Sequence, residues 1–186
     1  MNRYSSAICL PLLVSLLIFP SIVFAHREDE YLQATFVAIE PDSIRLEINL
    51  TPGIAIAEQV IKLIDRDHDG VISAKETAAY AESLQRDLTL RLDRRTLALK
   101  ITASESAEAA TLRTGSGIIQ IEFTAVPGML APGAHKLTLE NRHQRKISVY
   151  LINAARPSSS AVQITRQSRN NNQSTGEIEL RFQPLH

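Results

Sequence analysis

Ser43-Ile44-Arg45-Leu46-Glu47-Ile48-Asn49-Leu50-Thr51-Pro52 decides the fold. Ile44, Leu46, Ile48 and Leu50 alternate with Arg45, Glu47 and Asn49, the period of a strand that is apolar on one face and wet on the other. Before it, Tyr31 to Ile39 is a second run rich in β-branched and aliphatic residues. Glu40-Pro41-Asp42 joins the two: proline presets the turn and Asp42 can bond its own backbone, so residues 31–50 read as a β-hairpin.

At Thr51-Pro52 the period changes. Ile56, Val60, Ile61, Leu63 and Ile64 fall at helical spacing, with Thr51 as the expected N-cap and Pro52 at the first helical position. A second helix is expected from Ala74 to about Asp87. Ser73 and Glu76 form a capping box at its start, and Thr77, Ala81, Leu84 and Leu88 form its inward stripe. The helical insertion thus covers residues 52–87.

Beyond Leu88 the strand pattern returns. Thr89 to Leu92 and Leu97 to Thr102 flank a turn at Asp93-Arg94-Arg95-Thr96. They are followed by Gly117 to Ala125, Ala134 to Glu140, Ile147 to Asn153, and a last hairpin, Val162 to Arg166 with Glu177 to Phe182, around the polar residues 170–174. The expectation is a mainly β protein: an antiparallel, Ig-like β-sandwich with an inserted helix-loop-helix. Phe36, Phe123 and Phe182 are the phenylalanines expected in its core, which is otherwise Leu, Ile and Val, because the chain has no Trp.

Between the two expected helices stands Asp65-Arg66-Asp67-His68-Asp69-Gly70-Val71-Ile72-Ser73-Ala74-Lys75-Glu76, which matches the twelve-residue calcium loop of an EF-hand. Ca²⁺ takes oxygen ligands, and the spacing supplies them. Asp65, Asp67 and Asp69 hold positions one, three and five, the Val71 carbonyl position seven, Ser73 position nine through a water, and Glu76 position twelve with both carboxylate oxygens. Gly70 is needed for a left-handed backbone turn. Four carboxylates so placed repel one another without a cation. Mg²⁺ suits the loop less well, because a bidentate Glu favours the larger ion. His68 and Lys75 fall at non-liganding positions and are expected in solvent. No second loop of this spacing exists, since Asp87 to Asp93 lacks the alternating carboxylates and the glycine. Ile72 is therefore expected to rest on the β-structure rather than on a paired hand.

Composition bounds the partners. The 186 residues carry 20 Lys+Arg against 20 Asp+Glu, with no basic block, so the electrostatic footprint of a nucleic-acid binder is absent. Residues 1–25 read as a signal peptide: Arg3, an apolar stretch from Ala7 to Phe19, and Val23-Phe24-Ala25 before the cut. The mature protein, residues 26–186, is then a single exported domain, periplasmic or extracellular. It holds no cysteine, because the one Cys9 lies in the leader. No later stretch reaches the roughly 18 apolar residues of a membrane span. A new N-terminal His26 would place its imidazole beside a free α-amine, a pair able to chelate Cu²⁺ or Ni²⁺. His135 and His143 have no neighbouring ligand at a telling spacing and read as surface or loop residues. No nucleophile elbow, zinc-protease helix or phosphate loop is present, so the chain reads as a binding module and not an enzyme.

A leader ending at Ala25-His26, a strand opening on Tyr31-Leu32, a hairpin, the motif Asp65-x-Asp67-x-Asp69-Gly70 and a β-rich stretch together resemble a known arrangement. It is the extracytoplasmic N-terminal region of bacterial membrane proteins related to hydrogenase/urease-accessory nickel permeases. The resemblance covers roughly the first two thirds of the mature chain, and the calcium loop is its one specific motif. The transmembrane helices of those proteins have no counterpart here. The resemblance implies an exported domain linked to metal handling or to a membrane-protein or metal-transport partner. The alternative it raises is a Ni/Cu accessory or carrier protein that uses His26.

Overall fold

Tyr31–Ile39 (β1) and Ile44–Pro52 (β2) pair antiparallel over their full length, from Ile39 opposite Ile44 to Tyr31 opposite Pro52. Their alternation is the cause: Ile44, Leu46, Ile48 and Leu50 are all buried, as are Tyr31, Val37 and Ile39 on the partner strand. This computed structural model describes residues 29–184. The leader expected over residues 1–25 and the candidate ligand His26 lie outside them.

Alternation continues further than the sequence reading allowed. Thr51 and Pro52 do not open a helix but end β2, with Pro52 on the buried face. Proline has no N–H for the ladder and so suits a strand end. The next residue resumes pairing, the Gly53 N–H donating to the Glu30 carbonyl at 2.8 Å. A 3₁₀ turn, Ile54–Ile56, then leads into helix α1, Ala57–Ile64, which buries Ala57, Val60, Ile61 and Ile64. Helix α2, Ala74–Asp87, begins at Ser73 with the capping box and buries Glu76, Thr77, Tyr80, Ala81 and Leu84.

The remaining strands are Leu88–Leu92 (β3), Arg95–Leu97 (β4), Lys100–Ser106 (β5), Ile119–Ala125 (β6), Gly133–Asn141 (β7), Ser148–Ala154 (β8), Val162–Arg169 (β9) and Thr175–Phe182 (β10). They form two five-stranded sheets, ordered β5-β6-β2-β1-β8 and β4-β3-β7-β10-β9. The protein is mainly β, and inward residues of both sheets, Leu46 and Phe123 from one and Leu139 and Leu180 from the other, share one buried cluster. The sheets approach closely at Gly176, where a Cβ would lie 2.6 Å from Cγ2 of Ile152.

Four further details differ from the sequence reading. Pairing is not wholly antiparallel: β8 runs parallel to β1, Tyr31 opposite Ser148 and Val37 opposite Ala154. The chain enters β8 from β7 of the other sheet, and this crossover sets its direction. The single strand expected at Leu97–Thr102 is instead two, β4 on β3 and β5 on β6, because the chain changes sheets at residues 98–99. The Leu99 carbonyl accepts from Nε2 of Gln85 on α2 at 2.6 Å. A short helix, Ala109–Arg113 (α3), buries Ala109 and Leu112 and is tied to α1 by Arg113 Nε to Glu58 Oε2 at 2.9 Å. Phe36 does not join the core; it is 44% exposed on the outer face of β1, whereas Phe123 and Phe182 are buried. Among the described residues no helix is long and apolar enough to cross a membrane.

Candidate metal centre

Helix α1 ends at Ile64 because Ile61 and Ile64 are anchored in the core while the next residues are polar. Helix α2 starts at Ala74 because Ser73 caps it. The nine residues between therefore leave and return at two fixed points. Ile72 packs against the core cluster, and His68 and Lys75 stand in solvent. Gly70 has φ +84°, the left-handed turn that a Cβ disfavours, and His68 also has a positive φ of 60°.

The turn closes around Glu76. Its Oε1 accepts the Arg66 N–H at 2.7 Å, and its Oε2 accepts the Ser73 N–H at 3.0 Å and the Ser73 hydroxyl at 2.8 Å. In return the Glu76 N–H donates to Ser73 Oγ at 3.3 Å. One carboxylate thus joins the start of the loop to its end. These bonds, the Ser73 N–H first, then its hydroxyl and the Arg66 N–H, hold the Glu76 carboxyl down to about 2, so it is ionised at any physiological pH.

Asp65, Asp67 and Glu76 each point a carboxylate oxygen at a common space, all within 4.8 Å of one another. Asp65 is 6% exposed. Its Oδ2 accepts the Gly70 N–H at 3.0 Å, while its Oδ1 is buried without a hydrogen-bond partner. A buried carboxylate oxygen left unpaired is costly. Two further carboxylates nearby raise that cost, and a cation between them removes it. The donors are all oxygen, which suits a hard divalent cation and not a thiophilic metal. A bound cation would be held by Asp65, Asp67 and Glu76, and would neutralise charge and stiffen the turn.

The other expected ligands are placed less decisively. Asp69 is exposed and outside this group; its Oδ1 accepts the Val71 N–H at 2.7 Å. Asp67 Oδ1 accepts the Asp69 N–H at 3.3 Å. Val71 lies on the exposed rim of the loop, and Ser73 spends its side chain on the helix cap.

Sequence spacing missed a second polar cluster. His143 is fully buried and not a surface residue, for its Nδ1 lies 2.7 Å from Asp87 Oδ2 and its Nε2 lies 2.9 Å from the Tyr80 hydroxyl. Tyr80 also meets the Tyr31 hydroxyl at 2.8 Å. The His143 carbonyl accepts from Tyr150 at 2.7 Å and from Gln33 at 3.0 Å, and Asn141 Nδ2 donates to Gln33 Oε1 at 2.9 Å. Burial lowers the His143 pKa, partly opposed by Asp87, and burial raises the pKa of Tyr31, Tyr80 and Tyr150. Partners separated by up to 110 residues leave no local pattern; the one available signal was the group of tyrosines at otherwise apolar positions. His135 is likewise engaged on β7, with Nδ1 2.9 Å from Asp93 Oδ2 and Nε2 2.7 Å from the Ala131 carbonyl.

Comparison with protein-family models, with curated proteins and with solved structures found no match to this chain.

Proposed function

We propose that this chain is an exported calcium-binding protein in which Asp65 to Glu76 is a single EF-hand loop holding one Ca²⁺. The observation that carries the reading is the buried, unpartnered Asp65 Oδ1 converging with the carboxylates of Asp67 and Glu76. The ion would be completed by Asp69, the Val71 carbonyl and a water on Ser73, as the motif implies. We read the two sheets as an Ig-like sandwich and the helices as its insertion. Calcium then serves a structural or regulatory role: it fixes the approach of α1 to α2 and so the surface those helices present. Glu76 is both ligand and helix-cap partner, which couples ion binding to the start of α2.

Isothermal titration of the purified protein tests this. Ca²⁺ should bind with one-to-one stoichiometry, and Asp65→Asn and Glu76→Gln should each abolish the heat. Absence of heat in the folded wild-type protein would sink the proposal.

A further inference from the structure

The loop from β6 to β7, Val126-Pro127-Gly128-Met129-Leu130-Ala131-Pro132, contains no charged residue. It leaves β6 after Ala125, which is opposite Ile44, and enters β7 at Gly133, which is opposite Phe182. It therefore hangs from the end of both sheets, away from the end where β2 runs into the helices and the metal loop. Leu130 is drawn back against the core, but Met129 is fully exposed and Val126 is 73% exposed. The loop is held in this form. Arg95 donates to the Pro127 carbonyl, and His135 Nε2 lies 2.7 Å from the Ala131 carbonyl. Gly128 has φ +74°, with the Arg95 guanidinium directly beneath it.

Basic side chains surround this tip. Arg45 and Lys100 both stand opposite Thr124, one residue before β6 ends, and Arg181 stands opposite Ala134, one residue after β7 begins. Arg94 is on the adjacent β3–β4 turn and Arg95 opens β4, and all five are exposed. Arg181 and Arg156 also line an open groove of about 670 Å³ formed by β9, β10 and the segment before β9, with Ser158 and Ser160 on its wall. The acids at this end are fewer, Glu40 facing Arg45 and Asp93 facing Arg95, with Asp42 the third. Glu40 accepts the N–H groups of Ser158 and Ser159, Asp93 holds His135 and the Lys136 N–H, and Asp42 accepts from Ser43. In a chain whose charges balance overall, this places positive charge around an uncharged apolar tip.

We propose that this end of the molecule is a docking surface for a bilayer of anionic phospholipid. The exposed Val126 and Met129 side chains on a loop without charge suit a deformable apolar medium, and the bases around the loop suit an anionic surface over that medium. The loop extends at most about 10 Å beyond the ends of the strands, the depth to which interfacial segments enter a bilayer. At that depth Arg45, Lys100, Arg94 and Arg181 lie at the level of the headgroup phosphates. Each base near an anionic surface strengthens binding by about fivefold.

Cosedimentation of the full-length exported protein with vesicles tests this, in the presence of a calcium chelator so that the metal site plays no part. Binding to vesicles of phosphatidylglycerol and phosphatidylcholine should be at least about tenfold tighter than to phosphatidylcholine alone. Met129→Asp should weaken it by about tenfold, and Arg94→Glu by about fivefold or more. Both sites are exposed, and unchanged melting temperatures will show that the variants fold. Equal binding to neutral and anionic vesicles, or Met129→Asp binding like wild type, overturns the proposal. So does self-association lost in Met129→Asp without vesicle binding, which would make the tip a protein contact.

Discussion

The hydroxyl of Tyr80 lies 2.9 Å from Nε2 of His143, both residues being buried and 63 positions apart in the chain. Tyr80 follows Glu76 by one helical turn on the inward face of α2, and Asp87, the other partner of His143, ends the same helix. The helix that leaves the candidate calcium loop is therefore fastened to the sheets by a polar clamp as well as by its apolar stripe.

Tyr80→Phe keeps the ring and removes the hydroxyl, leaving the Tyr31 hydroxyl and His143 Nε2 without their shared partner. Each buried group left unpaired costs about 1–3 kcal/mol. Urea denaturation should show a loss in that range, and a double-mutant cycle with Tyr31→Phe should recover part of it, since that change removes one of the stranded groups.

His143 and His135 should shift stability with pH in opposite directions. His143 has a lowered pKa in the folded protein because it is buried, so the unfolded chain takes up the proton first. Its contribution is complete above an ordinary pKa of about 6.5 and is lost as pH falls below it. His135 has a raised pKa, chiefly through its hydrogen bond to Asp93. Its contribution is present below about 6.5 and is lost as pH rises through the higher folded value. Melting curves from pH 5 to 8 should therefore flatten on the acid side in His143→Gln and on the alkaline side in His135→Gln.

Calcium should raise the melting temperature of the wild-type protein. At a hundredfold excess over Kd the stabilisation is about 2.7 kcal/mol, or roughly 5–10 °C for a domain of this size. Glu76→Gln should lose the response. Asp65→Asn should lose it too, yet be more stable than wild type in EDTA by about 1 kcal/mol, because it removes a buried charge with an unpaired oxygen. Equal melting points for wild type and Asp65→Asn in EDTA would mean that Asp65 bears no such cost.

In the metal-free protein the first turn of α2 should survive mild acid. The Glu76 carboxyl is held near 2, so the stability gained from its ionised form is present above the ordinary value of about 4.3 and is lost only as pH falls toward 2. The Ser73 amide resonance, followed by NMR from pH 6 to 2, should report a midpoint well below that of a free glutamate.

Gly176→Ala should destabilise the protein by about 1–3 kcal/mol, because the new methyl meets Ile152 across the sheets at 2.6 Å. The same substitution in an Ile152→Ala background should cost less, the smaller side chain giving back the space. Equal costs in both backgrounds would place the strain elsewhere.

Elements governed by neighbours in sequence were legible. The alternation of Ile44 to Leu50 and the Ser73/Glu76 cap act over two to four residues, and both elements are present in the structure. The convergence of Asp65, Asp67 and Glu76 was legible from the spacing within residues 65–76, which links the interhelical turn to the first turn of α2. Thr51-Pro52 misled because helix-start chemistry there competes with a strand whose pairing to Tyr31 and Leu32 is a tertiary fact.

The sequence by itself determined the local units: the hairpin, the capped helix, the acidic turn between the two helices, and the balance of charge. Only the tertiary structure decided that β8 lies parallel to β1, that residues 98–99 pass between sheets, and that His143 is sealed against Tyr80 and Asp87. It also decided that one oxygen of Asp65 is buried without a partner. The physical reason is range. Backbone periodicity and capping are set within a few residues, whereas burial and desolvation depend on segments that meet only when the sheets close, and these turn an acidic turn into a candidate cation site.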